Sequence, residues 1–252
     1  MVEDHEVNQA LAVAILAKLG YRAEVAGTGR DAVEAVARAA YGAVLMDCQL
    51  PVMDGYQATA EIRRREGTAR HTPIIAMTAA ALPGDRERCL AAGMDDYLAK
   101  PVLVAELQAA LSHWLEGAVT TPTVTGSADW AQSAAEVLDP DRLAELRHFD
   151  STGNGSALVG RLVDCFLASA PADLAELRAA IQRGDATAVD HVAHRLKGAA
   201  GALGSTGMVE VCEEVEALAR AGRLSPADDL LWRLEQEFDR VTNVRDAVVA
   251  RR

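Results

Sequence analysis

The sequence predicts an α/β domain with a doubly wound parallel sheet, followed by an all-α domain, an antiparallel helical bundle. Three observations lead to this fold class. Short apolar runs alternate with amphipathic stretches of about ten residues up to Trp114. A stretch rich in Thr, Gly, Pro and Ser then interrupts the pattern, and beyond it all apolar repeats have helical spacing. We predict boundaries of 1–117 for the first domain, 118–137 for a flexible linker and 138–252 for the bundle.

Four strands and five helices are predicted in the first domain. Apolar residues at a spacing of four, such as Leu11, Ile15 and Leu19, predict a first helix that ends at Gly20. The strands, of which the second and third are apolar enough to be buried on both faces, are Ala23–Ala26, Ala43–Met46, Pro73–Met77 and Asp95–Ala99. The later helices are Gly29–Ala40, a segment from Gly55 to about Arg65, Asp85–Ala92 and Leu103–Trp114.

Polar residues end three of these apolar runs, and they predict a site for phosphoryl chemistry. Asp47, Thr78 and Lys100 should converge, because ligands of doubly wound sheets bind beyond the carboxyl ends of the strands. Glu3 and Asp4 join them if the segment before them is a strand. Hard carboxylate oxygens suit Mg²⁺. Asp47 is the candidate nucleophile, with Lys100 to neutralise phosphoryl oxygens and Thr78 to hydrogen-bond one of them.

These residues resemble the response-regulator receiver family over about residues 2–116. The matching positions are Glu3-Asp4, Asp47, the run Leu50-Pro51-Val52-Met53-Asp54-Gly55, Thr78-Ala79, Tyr97 and Lys100-Pro101. The resemblance implies a flavodoxin-like fold with strand order 2-1-3-4-5 and phosphorylation of Asp47. It also implies a Mg²⁺ site formed by Glu3, Asp4, Asp47 and the backbone carbonyl of Gln49. Thr78 and Tyr97 become switch residues, and the Lys100–Pro101 peptide is expected to be cis.

One departure from the receiver pattern concerns the first strand. Receivers begin with an apolar strand of about five residues, an interior one in that strand order, whereas only Met1 and Val2 precede Glu3 here. An interior strand that is largely missing leaves backbone groups of both neighbours unpaired, at about 1–3 kcal/mol for each buried group. We therefore expect a weakened receiver half, arising from a late start-codon assignment or from a fragment of a longer protein.

The second domain is predicted to consist of helices joined by short connections. Leu138-Asp139-Pro140 is a cap with proline near the first turn, and Gly184-Asp185 ends one helix and begins another. The predicted helices are a short one at Leu143–Leu146, then Ser156–Arg183, one beginning after Asp185, Thr206–Ala221 and one from about Pro226 to Val249. Residues expected to face the core are Val189, Val192, Ala193, Leu196, Leu203, Val209, Cys212, Val215 and Leu218 or Ala219.

The stretch from Ala193 to Gly201 carries the chemistry predicted for the bundle. His194 and Lys197 lie about 4.5 Å apart along a helix axis and on one face of it, which we expect to lie outside the core. Gly198 and Gly201 suggest a close approach to the imidazole. The run His-Arg-Leu-Lys-Gly-Ala-Ala-Gly-Ala-Leu-Gly resembles the signature of histidine phosphotransfer (HPt) domains, which implies that His194 is phosphorylated and that Lys197 assists. His191 has no counterpart in that signature and is interpreted as a solvated neighbour.

The composition narrows the classes of partner and compartment. The net charge of −12 argues against direct nucleic-acid binding, and no apolar run reaches the length of a membrane span. The four cysteines show no metal spacing and suit reduced thiols of a cytoplasmic protein. No secretory signal is recognisable at the amino terminus.

These features together predict a phosphorelay protein, or the C-terminal part of a hybrid sensor kinase. The expected partners are an upstream sensor histidine kinase and a downstream response regulator receiver. No ATP-binding glycine motif is recognisable, so we expect a phosphotransfer module rather than an enzyme with a kinase domain. One alternative is an adaptor whose receiver switches a binding surface, with His194 as a phosphate sink. Another is a hydrolase that uses Asp47 and Mg²⁺, although no general acid is evident near Asp47.

Overall fold

The computed structural model describes residues 1–78, 85–100, 102–115, 137–149, 157–225 and 227–249 of the 252. The chain divides into two compact units, one of residues 1–5 and 15–123 and the other of residues 6–14 and 124–252. Helix α1 (Glu6–Lys18) contributes to both units. Two predictions fall outside the described residues. One is the linker, of which only Val137 is described, and the other is the Lys100–Pro101 peptide, because Pro101 is not described.

The first unit contains a parallel sheet with helices along the chain between its strands. The strands β1 (Val44–Asp47), β2 (Ile74–Thr78) and β3 (Asp96–Ala99) lie in the order β1-β2-β3. The register pairs Asp47 with Met77 and Thr78 with Ala99, so the carboxyl ends of neighbouring strands coincide. The helices are α2 (Gly29–Arg38), α3 (Gly55–Glu66), α4 (Asp85–Ala91) and α5 (Val104–Trp114). The strand–helix alternation predicted for this half is confirmed.

Local chemistry explains where these elements begin and why they are buried. All residues of β1 and β2 are buried, as expected for parallel strands covered on both faces. The Thr28 side chain caps α2 by accepting from the Asp31 amide. Asp54 and Gln57 form a capping box at the start of α3, which fixes the chain direction directly after the β1 loop.

The prediction of a strand at Ala23–Ala26 is wrong. Among the described residues this segment makes a single parallel bridge, between Ala26 and Val2. Val2 also bridges Met46 of β1, so Val2 lies between the two segments as an interior strand would. An apolar segment becomes a strand only when its neighbour supplies a row of backbone partners, and here the neighbour supplies that row only around Val2.

The second unit is helical along its described length. Its helices are α6 (Pro140–His148), α7 (Ala157–Arg183), α8 (Ala186–Leu203), α9 (Thr206–Arg220) and α10 (Ala227–Val249). Asp139 and Asp185 cap α6 and α8, with Pro140 at the start of α6. Gly204 ends α8 with a φ of 82°, a left-handed conformation that favours glycine.

The core of this unit follows the predicted helical stripes with one exception. The five residues expected to face inward on α8 are all buried, and so are Cys212, Val215 and Ala219 on α9. Val209 is only partly buried, because the buried face of α9 is formed by Met208, Cys212, Val215 and Ala219. Across the part of the chain that the structure describes, no helix combines the length and apolarity needed to span a membrane.

Candidate functional site

Three carboxylates meet at the carboxyl end of β1 in the first unit. Oxygen atoms of Glu3, Asp4 and Asp47 all lie within 4.8 Å of one another. Asp47 is the last residue of β1, and Glu3 and Asp4 directly follow Val2, which bridges the same strand. Glu3 and Asp47 are each only 2% exposed, although both carry an acidic side chain. Buried carboxylates this close together need a compensating cation, because their mutual repulsion grows as water is excluded.

Lys100 supplies part of that compensation. Its Nζ donates to Oε2 of Glu3 and to Oδ2 of Asp47, at 2.7 Å in each case. Burial by itself would lower the pKa of the Lys100 ammonium, but the Asp47 and Glu3 carboxylates outweigh it and hold the pKa above its ordinary value. Lys100 follows β3, and its backbone amide donates to the Thr78 carbonyl at the end of β2. The sheet register therefore delivers this cation to the carboxylates.

The turn after β1 holds the Asp47 side chain in place. Oδ1 of Asp47 accepts from the backbone amide of Gln49 at 3.0 Å, while Oδ2 accepts from Lys100. The Gly55 amide donates to the Cys48 carbonyl and brings the start of α3 onto the turn. A Cβ built at Gly55 would lie 2.1 Å from the Asp47 carbonyl oxygen, so only glycine fits there.

The two predicted switch residues occupy different environments. Thr78 ends β2 beside the end of β1 and is buried. Tyr97 lies in β3 and is 37% exposed, and its amide donates to the Asp96 carboxylate. The part of the site around Asp47 is thus enclosed, and the tyrosine lies where solvent or a partner can reach it.

The residues at this edge fit a divalent cation. Carboxylate oxygens from Glu3, Asp4 and Asp47 form a cluster of the hard donors that Mg²⁺ prefers. One carboxylate oxygen of Glu3 and one of Asp47 already accept a hydrogen bond from Lys100. A cation bound here would share with Lys100 the task of balancing three negative charges.

A second polar cluster surrounds His194 in the second unit. Nδ1 of His194 lies 3.2 Å from Oε1 of Glu216, and Nζ of Lys197 donates to Oε2 of the same carboxylate at 2.8 Å. Arg220, one turn further along α9, donates to that oxygen as well, at 2.8 Å. Glu216 is buried, with only 2% exposure. One carboxylate of α9 thus organises both predicted functional residues of α8.

The charge on Glu216 determines how the imidazole is oriented. Burial by itself would raise the pKa of Glu216, but hydrogen bonds from His194 and Lys197 outweigh it and lower the pKa to about 2. An ionised carboxylate can only accept, so Nδ1 of His194 carries the proton in this pair. That tautomer leaves the lone pair on Nε2, which is the nitrogen available for attack on phosphorus.

His194 differs from the sequence-based expectation in its exposure. The helical spacing predicts a face of α8 outside the core, whereas His194 is 5% exposed and Lys197 is partly buried. The reason is that α9 packs against α8 and places Glu216 beside the ring. His191 is partly buried too, rather than fully solvated.

Sequence reasoning missed Glu216 and Arg220. A signal for Glu216 was present, since it falls in the apolar stripe of α9, four residues after Cys212 and three before Ala219. A charged residue at an inward position is rarely buried without a partner, so it should have pointed to a buried ion pair. The spacing of apolar residues on α9 does not reveal that His194 and Lys197 of α8 are the partners of Glu216.

Comparisons with known proteins match both halves. Residues 1–112 match the family model of the response regulator receiver domain, and residues 161–244 match that of the Hpt domain. The sensor protein GacS of Pseudomonas syringae pv. syringae is 31% identical over 244 residues, which cover 94% of this chain and 27% of that protein. Hybrid signal transduction histidine kinase G of Dictyostelium discoideum is 41% identical over 116 residues, or 45% of this chain and 3% of that protein. The chain thus spans about a quarter or less of these relatives.

Solved structures are similar to each half separately. The receiver domain of a sensor histidine kinase from Pseudomonas aeruginosa PAO1, crystallised with a magnesium ion in its active site cleft, is 55% identical over 46% of this chain and 94% of that chain, with a TM-score of 0.43. Histidine-containing phosphotransfer protein B of the same organism is 32% identical over 47% of this chain and 99% of that chain, also with a TM-score of 0.43.

Proposed function

We propose, from the premise that residues 1–112 are a response regulator receiver domain and residues 161–244 an Hpt domain, that this chain is a two-component phosphorelay protein. In this proposal Asp47 accepts a phosphoryl group from the phosphohistidine of an upstream sensor histidine kinase. His194 carries a phosphoryl group for transfer to a downstream response regulator receiver. The observation that carries the proposal is the pair of sites itself: a carboxylate bound by Lys100 in one unit and a histidine oriented by Glu216 in the other.

The receiver step requires Asp47 to attack phosphorus and form an acyl phosphate. The nitrogen–phosphorus bond of the donor histidine breaks as the Asp47 oxygen–phosphorus bond forms, so the phosphoryl group is conserved. Lys100 already touches Oδ2 of Asp47 and is placed to offset the charge that arrives with the phosphoryl oxygens. Thr78 is proposed to hydrogen-bond one of those oxygens, and Thr78 and Tyr97 to act as the switch.

Magnesium is the cofactor that the donor set favours. Glu3, Asp4 and Asp47 would hold it with carboxylate oxygens, and the backbone carbonyl of Gln49 is the further ligand proposed. When bound, Mg²⁺ supplies positive charge for phosphoryl oxygens that Lys100 alone would have to neutralise. Lys100 and the Gln49 amide keep the Asp47 side chain oriented.

The Hpt step requires a nucleophilic imidazole nitrogen at neutral pH. Nε2 of His194 attacks the phosphorus of an aspartyl phosphate, and the aspartate carboxylate leaves with its electron pair. Glu216 keeps the Nδ1 proton in place and stabilises the positive charge that develops on the ring. Lys197 is proposed to hold a phosphoryl oxygen by giving up its hydrogen bond to Oε2 of Glu216.

The two phosphorylation sites can be tested by the stability of the label. The full chain is incubated with radiolabelled acetyl phosphate and Mg²⁺ as wild type, Asp47→Asn, His194→Gln and the control His191→Gln. An acyl phosphate is lost in base and a phosphohistidine in acid. We expect base-labile label in His194→Gln and no label in Asp47→Asn. Where Asp47 passes its phosphoryl group to His194, acid-labile label also appears in the wild type and in His191→Gln.

Two results would contradict the proposal. Label of wild-type amount in Asp47→Asn would place the phosphoacceptor elsewhere. Acid-labile label that persists in His194→Gln but disappears in His191→Gln would show that His191, and not His194, is the phosphorylated histidine of α8. Adding a purified receiver domain to the labelled wild type, and following loss of the acid-labile label, tests the downstream step.

A further inference from the structure

Two cysteine side chains from different elements meet beside the Asp47 turn in the first unit. Sγ of Cys48, the residue directly after β1, lies 3.9 Å from Sγ of Cys89 on α4. The two cysteines are 41 positions apart in the chain, so the fold and not the local sequence brings them together. Both are nearly inaccessible, with exposed fractions of 4% for Cys48 and 1% for Cys89. Neither the proposed Mg²⁺ site nor the two proposed phosphorylation steps use these thiols.

The pair lies in the apolar core of the first unit. The cluster of buried residues around it includes Leu50, Ala58 and Met94. Other small apolar side chains could serve the packing, because a buried thiol behaves as a small hydrophobic group. Two thiols in contact can also form a covalent bond, for which the sulfur atoms must be about 2.05 Å apart. Rotation about the Cα–Cβ bonds, together with a small shift of α4, can supply the approach that is needed.

Helix α4 is the element through which an oxidant can reach the pair. It has seven residues, and a helix of this length depends on its contacts for stability. One contact places the Arg88 guanidinium 5.0 Å from the centroid of the Tyr56 ring. Leu90, the neighbour of Cys89, is 42% exposed, which places this side of the helix at the protein surface. Local opening of α4 therefore uncovers Cys89 at a lower free-energy cost than unfolding of the sheet.

We propose that Cys48 and Cys89 form a redox modification site, which hydrogen peroxide converts into a reversible disulfide that ties α4 to the Asp47 turn. The sulfur of one thiol attacks a peroxide oxygen, the O–O bond breaks, and a sulfenic acid forms as one water leaves. The sulfur of the second thiol then attacks the sulfenic sulfur. The S–S bond forms, the S–O bond breaks and a second water leaves, so two thiols lose two electrons to one peroxide. A dithiol reductant reverses the change by thiol–disulfide exchange.

A bond at Cys48 restrains the residues that hold the Asp47 carboxylate. The Cys48 amide donates to the Met77 carbonyl and its carbonyl accepts from the Gly55 amide, each at 3.1 Å, so this backbone has little freedom to follow the new bond. On its other side, the Gln49 amide donates to Oδ1 of Asp47 at 3.0 Å. The functional consequence rests on the proposed phosphorylation of Asp47. A turn fixed to α4 adjusts less readily to an incoming phosphoryl group, so oxidation slows that step.

The first test is the mass of the full chain after exposure to hydrogen peroxide and again after dithiothreitol. We expect the Cys48 and Cys89 tryptic peptides to be joined with the loss of two hydrogen atoms, and to separate on reduction. Cys165→Ser, which removes a partly buried thiol of α7, is the control and should form the same bond. Cys89→Ala should not form it, and the wild-type result stands whether or not this variant folds. The disulfide should raise the Tm of the first unit by about 5 °C or more.

The second test is the rate of base-labile labelling by acetyl phosphate and Mg²⁺ before and after oxidation. We expect labelling of the oxidised wild type to be about three- to tenfold slower, with recovery after dithiothreitol and no change in Cys89→Ala. Equal rates in the oxidised and reduced wild type would overturn the effect on Asp47.

The site itself is overturned if peroxide oxidises Cys165 while Cys48 and Cys89 stay reduced. It is also overturned if these two cysteines form sulfinic or sulfonic acids, or bonds to another chain, instead of a bond to each other. Absence of base-labile label from the reduced wild type would contradict the proposed relay function instead, because the disulfide is judged by mass alone.

Discussion

Nδ1 of His194 lies 3.2 Å from Oε1 of Glu216, and the other oxygen of that carboxylate accepts from Lys197 at 2.8 Å. The proposed nucleophile His194 and its proposed cationic helper Lys197, both on α8, are therefore held by one residue of α9. The ring is held through Nδ1, so the tautomer and the ring orientation are set before any phosphoryl donor arrives.

Replacing Glu216 should slow phosphorylation of His194. We expect Glu216→Ala to reduce the rate of transfer from a phosphorylated receiver by about 10–100-fold, by analogy with the loss seen when a carboxylate that orients a metal-bound histidine is removed. Glu216→Gln keeps an acceptor oxygen and should lose less. The measurement is the rate of appearance of acid-labile label in full-length protein. Glu213→Ala, an exposed position on the same helix, is the control and should keep the wild-type rate. Equal rates for Glu216→Ala and wild type would remove Glu216 from the mechanism.

The same residue should make the stability of the bundle depend on pH. The pKa of Glu216 is lowered to about 2 from an ordinary value of 4.5. Its stabilising contribution is therefore complete above pH 4.5 and is lost as the pH falls from 4.5 towards 2. Glu216→Gln should lower the free energy of unfolding at pH 7 by about 3 kcal/mol, and the difference should shrink by pH 3. Urea unfolding followed by circular dichroism measures this. A deficit of the same size at both pH values would show that the carboxylate charge is not its origin.

Removing one carboxylate from the first unit should weaken divalent-cation binding. Asp4→Asn leaves Lys100 with both of its partners but takes one negative charge from the cluster. We expect the Mg²⁺ dissociation constant to rise by at least about tenfold, equivalent to about 1.4 kcal/mol. Titration calorimetry of the full chain measures it, with Glu34→Gln, an exposed position of α2, as the control. Unchanged affinity in Asp4→Asn would place the cation away from this cluster.

Filling the space at Gly55 should disturb the Asp47 turn. A Cβ there would lie 2.1 Å from the Asp47 carbonyl oxygen and 3.0 Å from Cα of Cys48, so backbone must move. We expect Gly55→Ala to cost about 1–3 kcal/mol of stability and to reduce base-labile labelling of Asp47. Gly27→Ala is the matched control, because nothing lies within 4 Å of its Cβ position and its φ is not positive. The two measurements are the melting temperature and the amount of base-labile label after incubation with acetyl phosphate. Equal values for Gly55→Ala and Gly27→Ala would refute a steric role for Gly55.

Sequence patterns alone predict the order of the helices and of the strands β1 to β3, and the side chains that meet at the carboxyl end of β1, although they wrongly predict a strand at 23–26. Continuous apolar runs predict β1 and β2, and the polar residue at the end of each run marks the edge of the site. Parallel strands in adjacent positions bring their carboxyl ends together, so chain order was enough to place Asp47, Thr78 and Lys100 near one another. Helical spacing likewise placed His194 and Lys197 on one face, because both lie on one helix.

Tertiary structure decided what no local pattern encodes. Glu216 reaches His194 because α9 packs on α8, and the same packing buries the histidine that spacing had placed on an outer face. Lys100 binds Glu3 across 97 positions of sequence, a pairing that follows from the sheet register. The segment 23–26 contains a single strand-forming residue, Val25, and makes one bridge, because a strand exists only through its neighbour's backbone. Local periodicity sets which face a residue takes on its own element, whereas packing between elements sets what that face meets.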